Sequence, residues 1–371
     1  MAVKIDSYDT WITHPGPAAL VLRQQLESVD GKDGVIFPAT FAPAKNAKEF
    51  PGGYNINEFP DGTNICLIDS VGSQANRIEP LFAQSEYASL VPQVAITAGD
   101  RTVSLLEAGH RAGDAIVRCS SLQGVLRKAF LSAQAGECAP MAKIAPTSLV
   151  FGVWDSRDTQ VKLPRIITST IRAFNVRKLT RSAQFNPAVP YVDNGLLADP
   201  DGDEKIAESY AKRGFIHVPA TNSHGGVIAT GGVRRDANLS LAALRLLRST
   251  PDTERKLRRY ILGLALVALT APQNTYLRAG CNLVPDPSQP LEFFLVHGNG
   301  QREMVSLSHE ECLDYASLAA IDFTVGEQQN VSFDKNAALE DLANDEKKGK
   351  SKGKGKGKGK GKSKASEENA P

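Results

Sequence analysis

The sequence has few aromatic residues, few cysteines and no long apolar run. Only 6% of its 371 residues are Phe, Trp or Tyr, and its five cysteines form no C-x-x-C pair. Scattered thiols of odd number favour a reduced, intracellular protein over a disulfide framework. The most apolar stretch, residues 261–271, is shorter than the roughly 20 residues that cross a bilayer. We therefore expect a cytoplasmic protein with no membrane partner.

Common catalytic motifs are also missing. The sequence has no P-loop, no G-x-S-x-G nucleophile elbow, no H-E-x-x-H and no G-x-G-x-x-G that opens a predicted helix. His309 and Cys312 stand three residues apart on a predicted helix, but no second pair of ligands accompanies them. We predict neither a metal nor a cofactor, and these absences favour a binding protein over an enzyme.

Charge is divided unevenly along the chain. Residues 347–371 contain ten Lys and two Glu, which leaves 33 basic and 39 acidic side chains in the rest. Alternating Lys and Gly cannot bury apolar surface, so we predict one folded domain over residues 1–330 and a flexible, disordered tail over residues 331–371. The tail is interpreted as a solubilising segment or as a sequence-independent contact to nucleic-acid phosphates.

Short β-type runs alternate with helical periodicity, which predicts a mixed α+β fold. The predicted strands are residues 34–41, 64–70, 93–97, 115–119, 148–154, 166–176, 226–233 and 291–297. The predicted helices are residues 73–85, 103–110, 121–135, 203–213, 239–248, 253–270 and 308–320.

Basic residues concentrate between Phe151 and Gln184, where seven Lys or Arg accompany only two Asp. Trp154 and Phe174 lie in the same stretch. Cations neutralise phosphates and aromatic rings stack on bases, so this combination is typical of single-stranded nucleic-acid binding. The alternative is a solvated strand face with aromatic residues in the core. We favour the binding interpretation.

A second concentration, residues 221–238, holds two glycine pairs, Gly225-Gly226 and Gly231-Gly232, followed by Arg234-Arg235. Glycine pairs are most often turns, and the first interpretation is therefore a hairpin. The alternative is a phosphate cradle made of backbone N–H groups.

Six segments in chain order resemble one known family: HRAGDAIVR (110–118), FGVWDSR (151–157), KLPR (162–165), RSAQ (181–184), HGG (224–226) and RRDA (234–237). Together they are similar to the backbone subunit of type I-U, also called type I-G, CRISPR interference complexes, a Cas-seven-type, Csb-class member of the RAMP superfamily. The likeness covers about residues 104–281 and continues more weakly through residues 69–80.

The resemblance implies an RRM-like, ferredoxin-like βαββαβ core whose insertions form thumb and finger projections. In this family several copies polymerise along one CRISPR guide RNA and grip its backbone, while the bases pair with target DNA. The implied protein partners are further copies of the chain, a large subunit, a fused end-capping and guide-processing subunit, and a recruited helicase-nuclease.

The resemblance also implies which residues contact guide RNA. They are Arg157, Lys162, Arg165, Arg181, Gln184, His224, Arg234 and Arg235. Phe151 and Trp154 are expected to pack in the core behind them.

Two other functions remain open at this point. A RAMP endoribonuclease acting on CRISPR or target RNA would use Asp155, Asp158, Asp236 or His224 as its acid or base. Asp155 and Asp158 are equally well explained as partners of Arg157 and Lys162. A small-molecule enzyme would use a pocket beside residues 221–232, although no motif supports one.

Overall fold

The computed structural model describes residues 3–46 and 49–343, with the backbone alone described at residues 220–223. The Lys/Gly-rich residues 347–371 of the predicted tail lie outside the described residues. The fold is mixed α+β, as the sequence predicts. The chain forms two compact units: unit 1 comprises the residues up to 81, 166–246 and 262–319, and unit 2 comprises residues 82–165, 247–261 and those from 320 onward.

Helices and strands alternate irregularly along the described residues. The α-helices are α1 (Asp9–Ile12), α2 (Val71–Ile78), α3 (Ala115–Arg118), α4 (Gln123–Gln134), α5 (Ala139–Ile144), α6 (Pro146–Phe151), α7 (Glu204–Arg213), α8 (Leu241–Leu244), α9 (Pro251–Thr270) and α10 (His309–Phe323). The strands are β1 (Ala19–Ser28), β2 (Thr40–Phe41), β3 (Gly53–Tyr54), β4 (Ile56–Glu58), β5 (Asn64–Asp69), β6 (Val94–Ala98), β7 (Arg101–Ser104), β8 (Val153–Trp154), β9 (Lys162–Leu163), β10 (Ile167–Phe174), β11 (Val176–Phe185), β12 (Val218–Ala229), β13 (Val233–Ser240), β14 (Tyr276–Arg278), β15 (Cys281–Pro285), β16 (Glu292–Val296), β17 (Arg302–Val305) and β18 (Gln329–Ser332).

Unit 1 is built on a nine-stranded antiparallel sheet. Its strands lie in the order β14-β15-β1-β13-β10-β5-β4, with β16 also pairing with β1 and β17 pairing with β16. Strand β1 is central, because β13 covers one of its edges while β15 and β16 share the other. Strands β11 and β12 pair with each other as a separate two-stranded ribbon.

The central strands have one buried face and one open face. On β13 the side chains of Val233, Arg235, Ala237 and Leu239 are buried, and the residues between them are half-buried. This alternation follows from the two-residue period of a strand. Because β1 and β10 pair with β13 in continuous register, their side chains share the same two faces.

Unit 2 contains a small sheet in the order β18-β6-β7, in which β18 runs parallel to β6. The boundary predicted after residue 330 falls inside β18. Residues 335–343 are helical, and Asp341 of this stretch forms a 2.7 Å ion pair with Arg118. Ordered structure therefore continues to residue 343, the last residue described.

Helix ends follow the capping signals of the sequence. Asp203 accepts a hydrogen bond from the Lys205 amide (2.8 Å) at the start of α7, and Gly214 ends that helix in the left-handed conformation. Ser308 and Glu311 form a reciprocal capping box at the start of α10. The helices predicted over residues 203–213, 253–270 and 308–320 are confirmed as α7, α9 and α10.

Several strand predictions are confirmed and others are wrong. The predictions over residues 64–70, 93–97, 166–176 and 291–297 correspond to β5, β6, β10 and β16. The strand predicted over residues 115–119 is wrong: residues 115–118 form helix α3, which Asp114 caps by accepting from the Ile116 amide (3.2 Å). Most of the predicted strand 148–154 is helix α6, and the predicted helix 103–110 is the end of β7 followed by 3-10 turns.

Within the part of the chain that the structure describes, no helix combines the length and the apolar character needed to span a bilayer. The apolar second half of helix α9 is buried in the fold: Leu262, Leu264 and Leu266 are fully inaccessible to solvent.

Candidate nucleic-acid interface

The open face of the unit 1 sheet carries a cluster of arginines. Arg234 on β13 lies directly opposite Gln25 on β1 and opposite Arg172 on β10. Two residues further along β13, and so on the same face, Asp236 lies between Arg23 and Thr170. Like charges placed opposite each other on a sheet destabilise it, so the Arg172–Arg234 pair calls for a reason other than stability.

Contacts within the chain hold these arginines in defined positions. The Arg234 Nε donates to both carboxylate oxygens of Asp236, at 2.9 and 3.0 Å, and its guanidinium lies 4.8 Å from the centre of the Phe174 ring. Arg172 donates from Nη1 to the Thr170 hydroxyl at 2.6 Å. Both guanidiniums are only half-buried and keep further N–H groups for an anion.

Arg235 lies on the opposite face from Arg234. Consecutive residues of a strand point to opposite sides, and Arg235 is only 3% exposed. Its Nε donates to the Ser169 hydroxyl at 3.2 Å. Burial lowers the pKa of this guanidinium to about 10, which leaves it protonated at neutral pH. The sequence prediction that groups Arg234 with Arg235 therefore combines one residue of the open face with one of the interior.

The ribbon of β11 and β12 presents further basic residues. In β11 nearly every residue after Val176 is exposed, including Arg177, Lys178, Arg181 and Gln184. The pairing with β12 is interrupted twice, between Lys178 and Thr180 and between Arg181 and Ala183. Such bulges redirect side chains. The guanidinium of Arg181 lies 5.7 Å from the ring centre of Phe37.

His224 of β12 is fixed by packing. Its ring lies 4.8 Å from that of Tyr54, and a Cβ on Gly53 would come within 2.6 Å of the imidazole Cε1. Gly53 has φ +95°, a conformation that side chains rarely adopt. His224 is half-buried, so one part of its ring remains accessible beside the ribbon.

The glycine pairs serve the fold and do not form a phosphate cradle. The Gly226 amide donates to the Tyr54 hydroxyl at 3.0 Å. The Gly231 and Gly232 amides donate to the carbonyls of Phe174 and Ala229, and both glycines lie in the turn between β12 and β13. The N–H groups of Gly226, Gly231 and Gly232 are thus already used, which contradicts the cradle. The hairpin interpretation is confirmed at Gly231-Gly232 and is wrong at Gly225-Gly226, which lies inside β12.

Unit 2 carries a second basic group around the short hairpin of β8 and β9. Trp154 pairs with Lys162 across this hairpin, and the ammonium lies 5.9 Å from the indole ring. Arg157 and Arg165 are exposed nearby in sequence. Partial burial, and then the charge of Arg111, lowers the pKa of Arg165.

The two aromatic residues of this segment differ in exposure. Phe151 is 1% exposed, so its predicted place in the core is confirmed. Trp154 is 57% exposed, and the prediction that it packs in the core is wrong. It stands on a two-residue strand at a turn, where its neighbour Val153 faces inward and it faces solvent. Trp154 is thus an exposed aromatic ring beside a cation.

The carboxylates considered for catalysis are engaged in structure. Asp155 is buried and accepts from the amide and hydroxyl of Thr159, at 2.9 and 2.7 Å. Burial by itself would raise the pKa of Asp155, but hydrogen bonds from the loop that follows outweigh it, and the pKa is lowered. Asp158 pairs with Arg127 at 3.1 Å. Asp155 also accepts a hydrogen bond from the Arg157 backbone, but the expected charge pairing of these two carboxylates with the Arg157 and Lys162 side chains is wrong.

Thiol and metal chemistry find no support among the described residues. All five cysteines are buried, and burial raises the pKa of Cys66 and Cys312 to about 12. His309 contacts the Thr270 hydroxyl at 3.1 Å. In residues 3–46 and 49–343, no three His, Cys, Asp or Glu side chains are grouped as a metal site requires.

The structure thus sorts the eight predicted contact residues into three groups. Arg181, Gln184, His224 and Arg234 belong to the ribbon and open face of unit 1, Arg157, Lys162 and Arg165 to the hairpin region of unit 2, and Arg235 to the interior of unit 1. Arg23 and Arg172 join the open face without having been singled out. Arg23 could have been identified from the sequence, because Leu20 and Leu22 mark one face of a strand and Arg23 falls on the other face.

No curated protein matches the chain. A family model described as CRISPR-associated protein GSU0053 matches residues 20–178. The matched segment includes β1 and β10 of the central sheet and the basic hairpin of unit 2. Residues 20–178 are therefore similar to a CRISPR-associated protein family.

Proposed function

We propose that this protein is a non-catalytic, guide-RNA-binding backbone subunit of a type I-U, or I-G, CRISPR interference complex. The family match supports a role in CRISPR defence. The observation that carries the finer proposal is the open sheet face on which Arg172 lies opposite Arg234, next to the exposed basic ribbon. Such a surface suits a polyanion.

The strand order supports the RRM-like core of this proposal. Strands β15, β1, β13 and β10 are neighbours in that order and all are antiparallel. Helix α2 precedes β10 in the chain, and α9 lies between β13 and β15. A ferredoxin-like βαββαβ core has this arrangement of four strands and two crossover helices. We propose that the ribbon and residues 186–217 form the thumb-like insertion.

In this proposal the protein grips the guide RNA backbone and leaves the bases free. Arginine and lysine neutralise phosphates whatever the sequence, and exposed Trp154 supplies a face on which a base stacks. Sequence recognition then falls to pairing between the guide and target DNA. Further copies along the guide, a large subunit, an end-capping and guide-processing subunit and a helicase-nuclease complete the proposed complex.

The endoribonuclease alternative is the weaker one. It needs an acid or base free to reach a scissile phosphate. Asp155 and Asp158 are engaged as described, Asp236 is held by Arg234, and the His224 ring packs at a tilt against Tyr54.

Recovery of bound RNA tests the proposal. The full chain would be purified with its native partners, and the nucleic acid that it retains would be extracted and sequenced. We expect CRISPR-derived guides of uniform length, with several protein copies per RNA. Recovery of no RNA, or of RNA unrelated to CRISPR arrays, would overturn the proposal.

A charge-reversed variant makes the same test specific to the ribbon. Arg181→Glu is expected to reduce the retained RNA about tenfold for every guide sequence, because it reverses a charge beside the backbone. Arg101→Glu is the matched control, since Arg101 is also an exposed strand residue, on β7 of unit 2. Equal retention by the two variants would remove the ribbon from the binding surface.

A further inference from the structure

Unit 1 contains a cavity of about 350 Å³ on the buried side of its sheet. Gln24 and Leu26 of β1, Ile171 of β10 and Arg235 of β13 line it from the sheet, and residues 269–275 line it from the end of α9 and the loop that follows. This volume is at the lower end of the range for small-molecule sites. Most of its wall is apolar.

One buried cation in this wall has no complete set of partners. Arg235 is 3% exposed and donates from Nε to Ser169. Its Nη2 has no hydrogen-bond partner among the residues that the structure describes. A buried, charged donor left in this state costs more free energy than an ordinary polar group, and such groups are normally paired.

The polar network behind Arg235 cannot supply the missing acceptor. Ser169 donates to the Gln74 carbonyl at 2.8 Å, and the Gln74 amide donates to Asp69 at 2.7 Å. In this series of hydrogen bonds, from Arg235 through Ser169 and Gln74 to Asp69, each residue donates to the next. Asp69 is the terminal acceptor and the one carboxylate of the network.

Asp69 is also shared by other cations. Arg77 and Arg278 each reach one of its oxygens at 3.2 Å. Three guanidiniums, that of buried Arg235 and those of half-buried Arg77 and Arg278, thus accompany a single carboxylate in this network. The excess of positive charge beside an apolar cavity calls for an anion from outside the chain.

We propose that this cavity binds a small organic anion. Its carboxylate or phosphate head lies against the Arg235 guanidinium, which offers paired N–H donors, and its apolar body lies against Leu26, Ile171 and Leu269. The inference is independent of the proposed guide-RNA function, because Arg235 and the cavity are on the opposite side of the sheet from Arg172 and Arg234.

Titration of the full chain with matched probes tests this site. The probes are hexanoate and hexyl phosphate, which combine a head and an apolar body. The controls are 1-hexanol, which lacks the charge, and acetate, which lacks the body. We expect calorimetry to show at least one of the two probes binding at least tenfold more tightly than both controls. The preferred probe identifies the head as carboxylate or phosphate.

Two variants locate the binding. Leu291→Trp places a large ring at a partly exposed position of the cavity wall and is expected to weaken probe binding at least tenfold. Leu246→Trp is the control, because Leu246 is exposed in the same unit and does not line the cavity. Arg235→Met removes the charge, and its fold would be checked by circular dichroism.

The proposal is overturned if neither probe binds more tightly than 1-hexanol, or if Leu291→Trp binds the preferred probe as the control variant does. The Leu291 result decides even if Arg235→Met fails to fold. RNA binding is expected to be unchanged in Leu291→Trp, so failure of this proposal is distinguishable from failure of the proposed function.

Discussion

Arg172 and Arg234 lie directly opposite each other on the antiparallel strands β10 and β13, with both side chains on the open face of the sheet. Arg234 is bound to Asp236, whereas Arg172 is held by a hydroxyl, that of Thr170. The two facing positive charges repel each other when no anion is bound. A bound phosphate chain would relieve this repulsion, so stability and binding should respond in opposite directions when the pair is broken.

The Arg172→Gln variant tests whether stability and RNA binding change in opposite directions. Removing one of two facing charges should raise the free energy of unfolding by about 0.2–1 kcal/mol at low salt. The same change should weaken binding of single-stranded RNA, equally for two unrelated sequences. Chemical denaturation and fluorescence anisotropy measure the two effects. A variant that is less stable and binds RNA normally would show that Arg172 serves the fold alone.

Trp154→Ala should affect binding without affecting stability. The indole is largely exposed, and loss of a stacked base costs about 1–3 kcal/mol of RNA affinity. Phe151→Ala is the comparison, because Phe151 is buried three residues earlier and should lose about 3–5 kcal/mol of folding stability. Tryptophan fluorescence quenching in the wild-type protein on RNA addition gives an independent readout. Unchanged RNA affinity in Trp154→Ala would contradict a stacking role.

Gly53→Ala should destabilise the fold through His224. Gly53 and Gly62 both have positive φ, at +95° and +82°, but only at Gly53 would a Cβ meet a side chain, 2.6 Å from the imidazole. We expect Gly53→Ala to lose more than about 1 kcal/mol beyond the loss in Gly62→Ala. Thermal unfolding of the two variants measures the difference. Equal losses would show that the His224 ring moves aside freely.

The stabilising effect of Asp155 should depend on pH. Its pKa is lower in the folded chain than the ordinary value of 3.8, so the ionised carboxylate stabilises the fold above that pH. This contribution is lost as the pH falls through the lowered, folded-state pKa. The difference in unfolding free energy between wild type and Asp155→Asn should be constant from pH 7 to pH 5 and shrink below about pH 4. Asp158→Asn, at a more exposed ion pair, should show a smaller difference throughout.

Local signals in the sequence predicted local structure well. Helices α7 and α10 begin at Asp203 and Ser308, whose side chains satisfy backbone amides, and such signals depend only on neighbouring residues. The strand prediction over residues 115–119 shows that composition alone can predict the wrong element. This run contains apolar, β-branched residues, but residues 115–118 form a helix, which Asp114 caps. Strand β1 went unpredicted because its polar residues interrupt the apolar alternation that identifies a half-buried strand.

The basic residues of the candidate interface could be predicted from the sequence, but their arrangement on the sheet could be predicted only in part. The basic stretch between Phe151 and Gln184 was visible, and Arg181 and Gln184 are exposed as expected. The opposite orientations of Arg234 and Arg235 follow from strand period alone and required only that β13 be recognised. The pairing of Arg172 with Arg234 depends on register between strands more than fifty residues apart, which no local pattern contains.

The position of β1 at the centre of the sheet has a consequence during synthesis. Its partners on the two edges are β13 and the pair β15 and β16, all beyond residue 232 in the chain. At a typical rate of 5–20 residues per second, β1 leaves the ribosome about 10–40 s before its first partner strand is complete. Leu20 and Leu22 stay unshielded for that interval. A nascent chain stalled before β13 would hold two open strand edges, which makes it a substrate for chaperones and a seed for aggregation.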